Sequence, residues 1–412
     1  MRLDAVIFGG GVAGLWLLDR LSRQGCHAVL LEAGELGSGQ TVAAQGIIHG
    51  GLKYTLQGLL TPSAKSIRGM PAVWRDALLG RGTPNLTRTR VRSECCYLWQ
   101  TDSLSSRMGM IGARVGLQVK PETLSVDERP EALKQVPGQV ARIAEQVICP
   151  RSFIADLAGQ YRDRILKIDV AQGLRFRLQS PGEITAVELT DVQTQRTLQL
   201  SPRQVVFTAG AGNASLRKLA KLDDAVMQRR PLQMVMVRGE LPALTGHCVD
   251  GAKTRVTVTC DIDSRGRTVW QIGGQLAEDG VVMNPVDLTR RAQQELEAVL
   301  PGVRFEHTEW STYRTDRAEG ATSQNTRPET VQVLCAGNVT TGWPTKLALA
   351  PVLANEIASR ISAEASSLPF HSEAWMDWPR PNVAALPWEE PQRQWWPHPH
   401  SKPETPSQRR AA

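Results

Sequence analysis

The chain runs to 412 residues, 41% of them hydrophobic, which is ample for a large buried core in roughly two or three domains and excludes a disordered or fibrous protein. Its formal net charge of +7 is dispersed, densest at Arg88, Arg90 and Arg92 and at Arg229 and Arg230, and no nucleic-acid reading motif accompanies it. A nucleic-acid partner is therefore not expected, and the basic excess suits an anionic cofactor and substrate. No apolar run approaches the length of a membrane span. The seven cysteines are scattered, and the one close pair, Cys95 and Cys96, lacks the spacing of a metal or iron–sulfur set, so no metal centre is expected. An odd cysteine count, with a strand pattern starting within a few residues of Met1 in place of a signal peptide, points to a reducing, cytoplasmic compartment.

In chain order, Leu3 to Phe8 reads as a buried strand and runs straight into Gly9-Gly10-Gly11-Val12-Ala13-Gly14, a GxGxxG fingerprint in its required context. Gly9 permits the tight turn, Gly11 lets a pyrophosphate approach the backbone, and Gly14 allows the following helix to pack on the sheet. That helix, carrying Leu15, Leu17, Leu18 and Leu21, opens at Val12 and Ala13 and aims its first N–H groups at the phosphates. A second strand, Ala28 to Leu31, ends in Glu32, where the fingerprint places a carboxylate on a ribose hydroxyl. These residues specify a dinucleotide without separating FAD from NAD.

Further along, helices are expected at Phe153–Tyr161, Leu288–Val299 and Pro351–Ile361, and strands at Gln233–Arg238, Arg255–Thr259 and Thr268–Ile272. The expected organisation is a cofactor-binding domain in three pieces, 1–80, 145–216 and 319–365, interleaved with a sheet-rich substrate domain at 81–144 and 217–318. Residues 366–412 change character: prolines throughout, with Trp375, Trp378, Trp388, Trp395 and Trp396 among charges. This segment is expected to be an extended tail that lays its tryptophans on the domain surface, and the sharper alternative is contact with a protein partner or a membrane periphery. Cutting the chain after Ile361 should then leave the cofactor bound.

Four segments carry a family resemblance: Gly37-Ser38-Gly39-Gln40-Thr41, Gln45-Gly46-Ile47-Ile48-His49-Gly50-Gly51-Leu52-Lys53-Tyr54, Gln204 to Gly212, and Ala336-Gly337-Asn338 through Gly342-Trp343-Pro344-Thr345-Lys346. Together with the fingerprint they resemble the D-amino-acid oxidase superfamily of FAD-dependent oxidoreductases, especially its glycerol-3-phosphate and L-2-hydroxyglutarate dehydrogenase branches. The resemblance implies an α/β fold with a Rossmann-type FAD-binding domain and non-covalent FAD. It places Gly39, Gln40, Thr41, Gln45, Gly46, Ile48, Ala209, Gly210, Gly337, Gly342, Thr345 and Lys346 at the cofactor. Glycines suit that place physically, because a planar ring packed on backbone needs residues without side chains.

The resemblance also implies three catalytic or substrate-holding residues. His49 would take a proton or bind an anion, and Lys346 matches a lysine that meets substrate carboxylate in the sarcosine-oxidase-like branch. Arg314, in Trp310-Ser311-Thr312-Tyr313-Arg314-Thr315, matches the carboxylate-gripping arginine of amino-acid oxidases, although Thr315 stands where the family usually has proline. Lys53 and Tyr54 are further candidates for the pocket wall. The implied activity is hydride transfer to flavin from a C–H beside a hydroxyl in a small anionic substrate, with an amine or amino-acid oxidase as the alternative. Oxygen, a quinone or a protein would accept the electrons. A reading from another class is a flavin-bearing binding or assembly subunit with vestigial redox activity.

Overall fold

The computed structural model describes residues 1–51, 67–101, 121–250, 253–363 and 373–397. Leu3 to Phe8 are buried throughout, as a central parallel strand requires. Arg2–Phe8 lies between Ala28–Glu32 and Thr197–Phe207, parallel to both, and the sheet continues through Ile165–Lys167 on one side and Val339–Trp343 on the other. Antiparallel Gln332–Ala336 borders it.

Strand alternation sorts the two faces of this sheet. Ala5, Ile7, Ala28 and Leu30 pack with the helices Val12–Arg23 and Ala350–Ala358. Val6, Phe8, Val29 and Leu31 face the other way, where Phe8 meets Phe176 and Phe207 edge-on at 5.6 and 5.5 Å.

The second sheet is antiparallel for most of its width, in the order Trp396–Pro397, Thr308–Gly320, Met227–Gly239, Thr268–Gly273, Lys253–Ile262, Gly246–Asp250, Cys96–Trp99, Val140–Ile143, Glu122–Thr123. Thr308–Gly320 and Met227–Gly239 pair over their whole length. Helix Pro285–Val299 seals one face, burying Leu288, Ala292, Leu296 and Val299 against Val235, Val237, Trp270 and Trp310. The helices start earlier than the apolar pattern alone suggests, at Pro150 and Pro285, because proline at a first helical position costs no hydrogen bond. Asn284 caps the second of these by accepting the Asp287 N–H at 2.9 Å.

The C-terminal tryptophans overturn the expectation of a surface tail. Trp375, Trp378 and Trp388 are buried. The Trp375 and Trp378 indoles donate to the carbonyls of Asp163 and Lys167 at 2.9 and 2.8 Å, and Arg380 donates to Ile165 O at 2.7 Å. These three groups flank the Ile165–Lys167 strand of the first sheet. Trp388 packs with Met236 and Tyr313 of the second sheet, and Trp396 pairs with Trp310 as its edge. Residues 373–397 thus join both sheets. An indole that finds a carbonyl inside loses nothing by burial, and the gain in apolar area holds the segment down. With these rings engaged internally, the alternative of a tryptophan contact to a membrane or partner loses its support for those three residues. No described helix is long and apolar enough to cross a membrane.

Candidate active site

The C-terminal ends of the parallel strands open on a cavity of about 780 Å³ that also takes walls from the second sheet and from residues 387–393. Ligands bind α/β sheets at such strand ends. Gly9, at φ +106°, makes the first turn, and a Cβ there would sit 2.5 Å from Ala209 Cα. A Cβ on Gly14 would come 1.9 Å from Gly9 O, so Gly14 serves helix packing and does not line the cavity. Gly11 does line it, and among the described residues Thr41 Oγ1, at 3.1 Å, is the one atom near a would-be Cβ.

The N-cap of helix Val12–Arg23 is Gly11, which has no side chain, and the first turn holds no acidic residue; the Val12 N–H reaches only the neutral Thr41 hydroxyl at 3.3 Å, so no negative group occupies the positive end of the dipole. Val12 and Ala13 both face the cavity. Glu32 lines it too, its Oε2 accepting from Gly10 N–H at 2.5 Å and its Oε1 from Gly34 N–H at 2.7 Å.

The loop carrying Gly39, Gln40 and Thr41 forms another wall and is tied to the second sheet. Gln40 Oε1 accepts from Ala318 N–H at 3.1 Å, and the Tyr313 hydroxyl donates to Ala43 O at 2.8 Å. Gln271 Nε2 donates to that hydroxyl at 2.9 Å, and burial raises the Tyr313 phenol above its ordinary pKa, so it stays protonated as a donor. Ala209, Gly210 and Gly342 complete the far side; Asn213 links the two turns by accepting from Ala209 N–H and donating to Gly342 O.

Several expected residues stand elsewhere. Gln45 is turned to the second sheet, donating to Thr257 O and Gln271 O at 3.1 and 3.0 Å. Gly46 serves a tight backbone crossing, since a Cβ would lie 2.1 Å from Ile148 O, and Ile48 is fully buried in the helical core. Gly337 is corrected outright: it turns the hairpin between Gln332–Ala336 and Val339–Trp343 and packs on Gly182, at the opposite end of the strand whose Gly342 reaches the cavity. Four residues, Asn338 to Thr341, lie between them, and the strand steps from Val339 to Gly342 alone span about 10 Å. Thr345 is buried behind the wall that Pro344 and Lys346 form. Its φ of +58° is costly for a β-branched residue.

Of the three expected catalytic residues, Arg314 and Lys346 share the cavity, one from each sheet's side. Arg314 is more than half exposed and stands 3.8 Å from Asp316. A third cation, Arg393, lies on the same wall, donating to Thr312 O and Pro387 O at 2.9 Å and pairing with Glu390. It escaped notice because it sits in the proline-rich segment read as a tail. His49 is not among the described residues that line this cavity, so its expected convergence with Arg314 and Lys346 is not seen there; its Nδ1 faces Glu145 Oε2 at 3.2 Å. Lys53 and Tyr54 lie outside the described residues.

The family model of FAD dependent oxidoreductases, DAO, matches residues 4–345. The probable FAD-dependent oxidoreductase PA4991 of Pseudomonas aeruginosa is 38% identical over 94% of this chain and 98% of its own, and its crystal structure superposes with a TM-score of 0.78. The α-glycerophosphate oxidase of Streptococcus pyogenes is 22% identical over 58% of this chain, which spans only 41% of that protein. Glycine oxidase from Geobacillus kaustophilus shares the fold at 16% identity, with a TM-score of 0.61 over 90% of this chain and 98% of its own. The uncapped helix start, the glycine turn and the Glu32 carboxylate fit a dinucleotide on their own terms. The chain belongs to the DAO family of FAD-dependent oxidoreductases, and FAD is its cofactor.

Proposed function

We propose that this oxidoreductase acts on a small anionic substrate of the hydroxy-acid or polyol-phosphate class, at a C–H beside the hydroxyl. The observation that carries the proposal is the sharing of one cavity by Arg314 and Lys346, brought there by different sheets. Bound FAD supplies the hydride acceptor. The chain's own work is to hold the dinucleotide at the Gly9–Gly14 turn and Glu32, and to fix the substrate anion with Arg314 and Lys346. A guanidinium fork suits carboxylate or phosphate alike. The hydroxyl class is supported by the partial likeness to α-glycerophosphate oxidase, and to glycerol-3-phosphate dehydrogenase 1 of Mycobacterium tuberculosis at 26% identity.

Anaerobic bleaching of the flavin tests this. A hydroxy acid or polyol phosphate should reduce it, and Arg314→Ala should raise the half-saturating concentration by about tenfold, ~1.4 kcal/mol, as befits a half-exposed charge. The uncharged polyol should be insensitive to the substitution. Reduction by amino acids alone would move the substrate to the amine class. No bleaching by any small substrate would favour a binding or assembly subunit. Reoxidation of the bleached protein by oxygen, or only by an added quinone or protein, identifies the electron acceptor.

A further inference from the structure

We propose that His49, Glu145 and His247 form a binding site for one divalent transition-metal ion of the Zn²⁺ type, apart from the dinucleotide cavity. One ligand atom from each lies within 4.8 Å of the other two. The three come from distant parts of the chain. Their backbones are nevertheless held: Ile47 bridges to Val147, Gly246 and His247 pair with Tyr97 and Leu98, and Cys96–Trp99 pairs in turn with Val140–Ile143. Ligands about 2.0–2.1 Å from a tetrahedral Zn²⁺ stand about 3.3 Å from one another, so the three side chains would draw together by up to about 1.5 Å around a common ion while these backbones stay in place.

The donor set states which ion. Two imidazoles and one carboxylate suit Zn²⁺ and its neighbours, whereas Mg²⁺ and Ca²⁺ want oxygen alone. The Glu145 side chain is 5% exposed, a depth at which a carboxylate calls for a cation. His247 is buried as well.

Two of the three ligands are already oriented by outer hydrogen bonds. Gly50 N–H donates to Glu145 Oε1 at 2.6 Å, which leaves Oε2 on the side of His49. His247 Nδ1 lies 2.9 Å from the Thr257 hydroxyl; with the proton on Nδ1, the imidazole donates to Thr257 Oγ1 and presents the Nε2 lone pair as the ligand. Metal-bound histidines are held in this way, by a partner on the nitrogen away from the ion. His49, 20% exposed, leaves access from solvent. Three protein ligands leave a fourth position for water or a substrate oxygen.

The test uses the flavin-loaded full chain, stripped with a chelator, dialysed, and titrated with ZnCl₂ by calorimetry, with elemental analysis after gel filtration. One Zn²⁺ should bind per chain, undisturbed by excess Mg²⁺. His247→Ala and Glu145→Gln should abolish this binding while the flavin spectrum persists. Thr257→Val, which removes only the outer hydrogen bond, should weaken it by about 10–100-fold. Absence of stoichiometric Zn²⁺ in the unaltered protein, or equal binding by His247→Ala, overturns the proposal. Should His247→Ala fail to fold, an unchanged affinity in Thr257→Val overturns it equally. The measurement involves no substrate, so its failure leaves the roles of Arg314 and Lys346 standing.

Discussion

Two stretches of chain at opposite ends of the sequence build the same cavity by different physics. Residues 1–51 do it with backbone: Gly9 and Gly14 bring strand and helix together, and Gly11 stays bare for a ligand. Residues 373–397 do it with side chains, seating Trp375, Trp378 and Trp388 in the two sheets and presenting Pro387, Glu390 and Arg393 to the cavity. The first is local, so its spacing is readable in one dimension. The second depends on carbonyls more than 200 residues earlier in the chain, at Asp163 and Lys167, and no periodicity announces such partners.

The largest loss should follow from removing the second stretch. A chain ending at Ile361 should fail to fold around FAD. Each buried indole lost is worth about 3–5 kcal/mol, and three of them exceed most of the ~5–15 kcal/mol that holds a domain together. A yellow, cooperatively melting truncated protein would return the segment to the status of a surface tail. Breaking the first stretch needs one atom group: Gly14→Val would drive a side chain into Gly9 O. Overpacking against backbone should cost about 3 kcal/mol, weakening FAD by roughly 100-fold in ultrafiltration or fluorescence measurements. Unaltered FAD affinity would mean that the helix start contributes nothing to holding the phosphates. The smallest effect separates the edge of the C-terminal segment from its interior. The Trp395 ring lies 3.8 Å from the Arg238 guanidinium and is only half-buried. Trp395→Ala should cost about 1 kcal/mol, visible as a few degrees in Tm with full FAD content.

What could be read in advance follows the same division. The strand, glycines and Glu32 were legible because they follow one another at fixed spacing in one strand–helix–strand unit, even though Gly9 also abuts Ala209 and the strand also pairs with Thr197–Phe207. Arg314 and Lys346 were legible through their surroundings in a familiar motif, and they do reach the cavity. Gly337 misled because a glycine turn looks alike at either end of a strand; only the pairing with Gln332–Ala336 says which end it occupies. Thr345 misled because nothing in its sequence context says that its side chain is buried while Pro344 and Lys346 on either side line the cavity. The grouping of His49 with Glu145 and His247 left no mark on spacing at all, since three separate elements deliver them.

The ties between Tyr313 and Ala43, and between Gln40 and Ala318, have a consequence for the order in which the protein is made. Synthesis supplies the phosphate-side turn first, but Arg2–Phe8 waits for Thr197–Phe207 to border it, and the loop behind the turn waits for Thr308–Gly320 to anchor it. Residues 387–393 arrive after all the other walls. A nascent chain therefore carries a half-built receptor for most of its synthesis. FAD present at that stage meets a cradle that still lacks the side which Pro387, Glu390 and Arg393 supply in the finished protein.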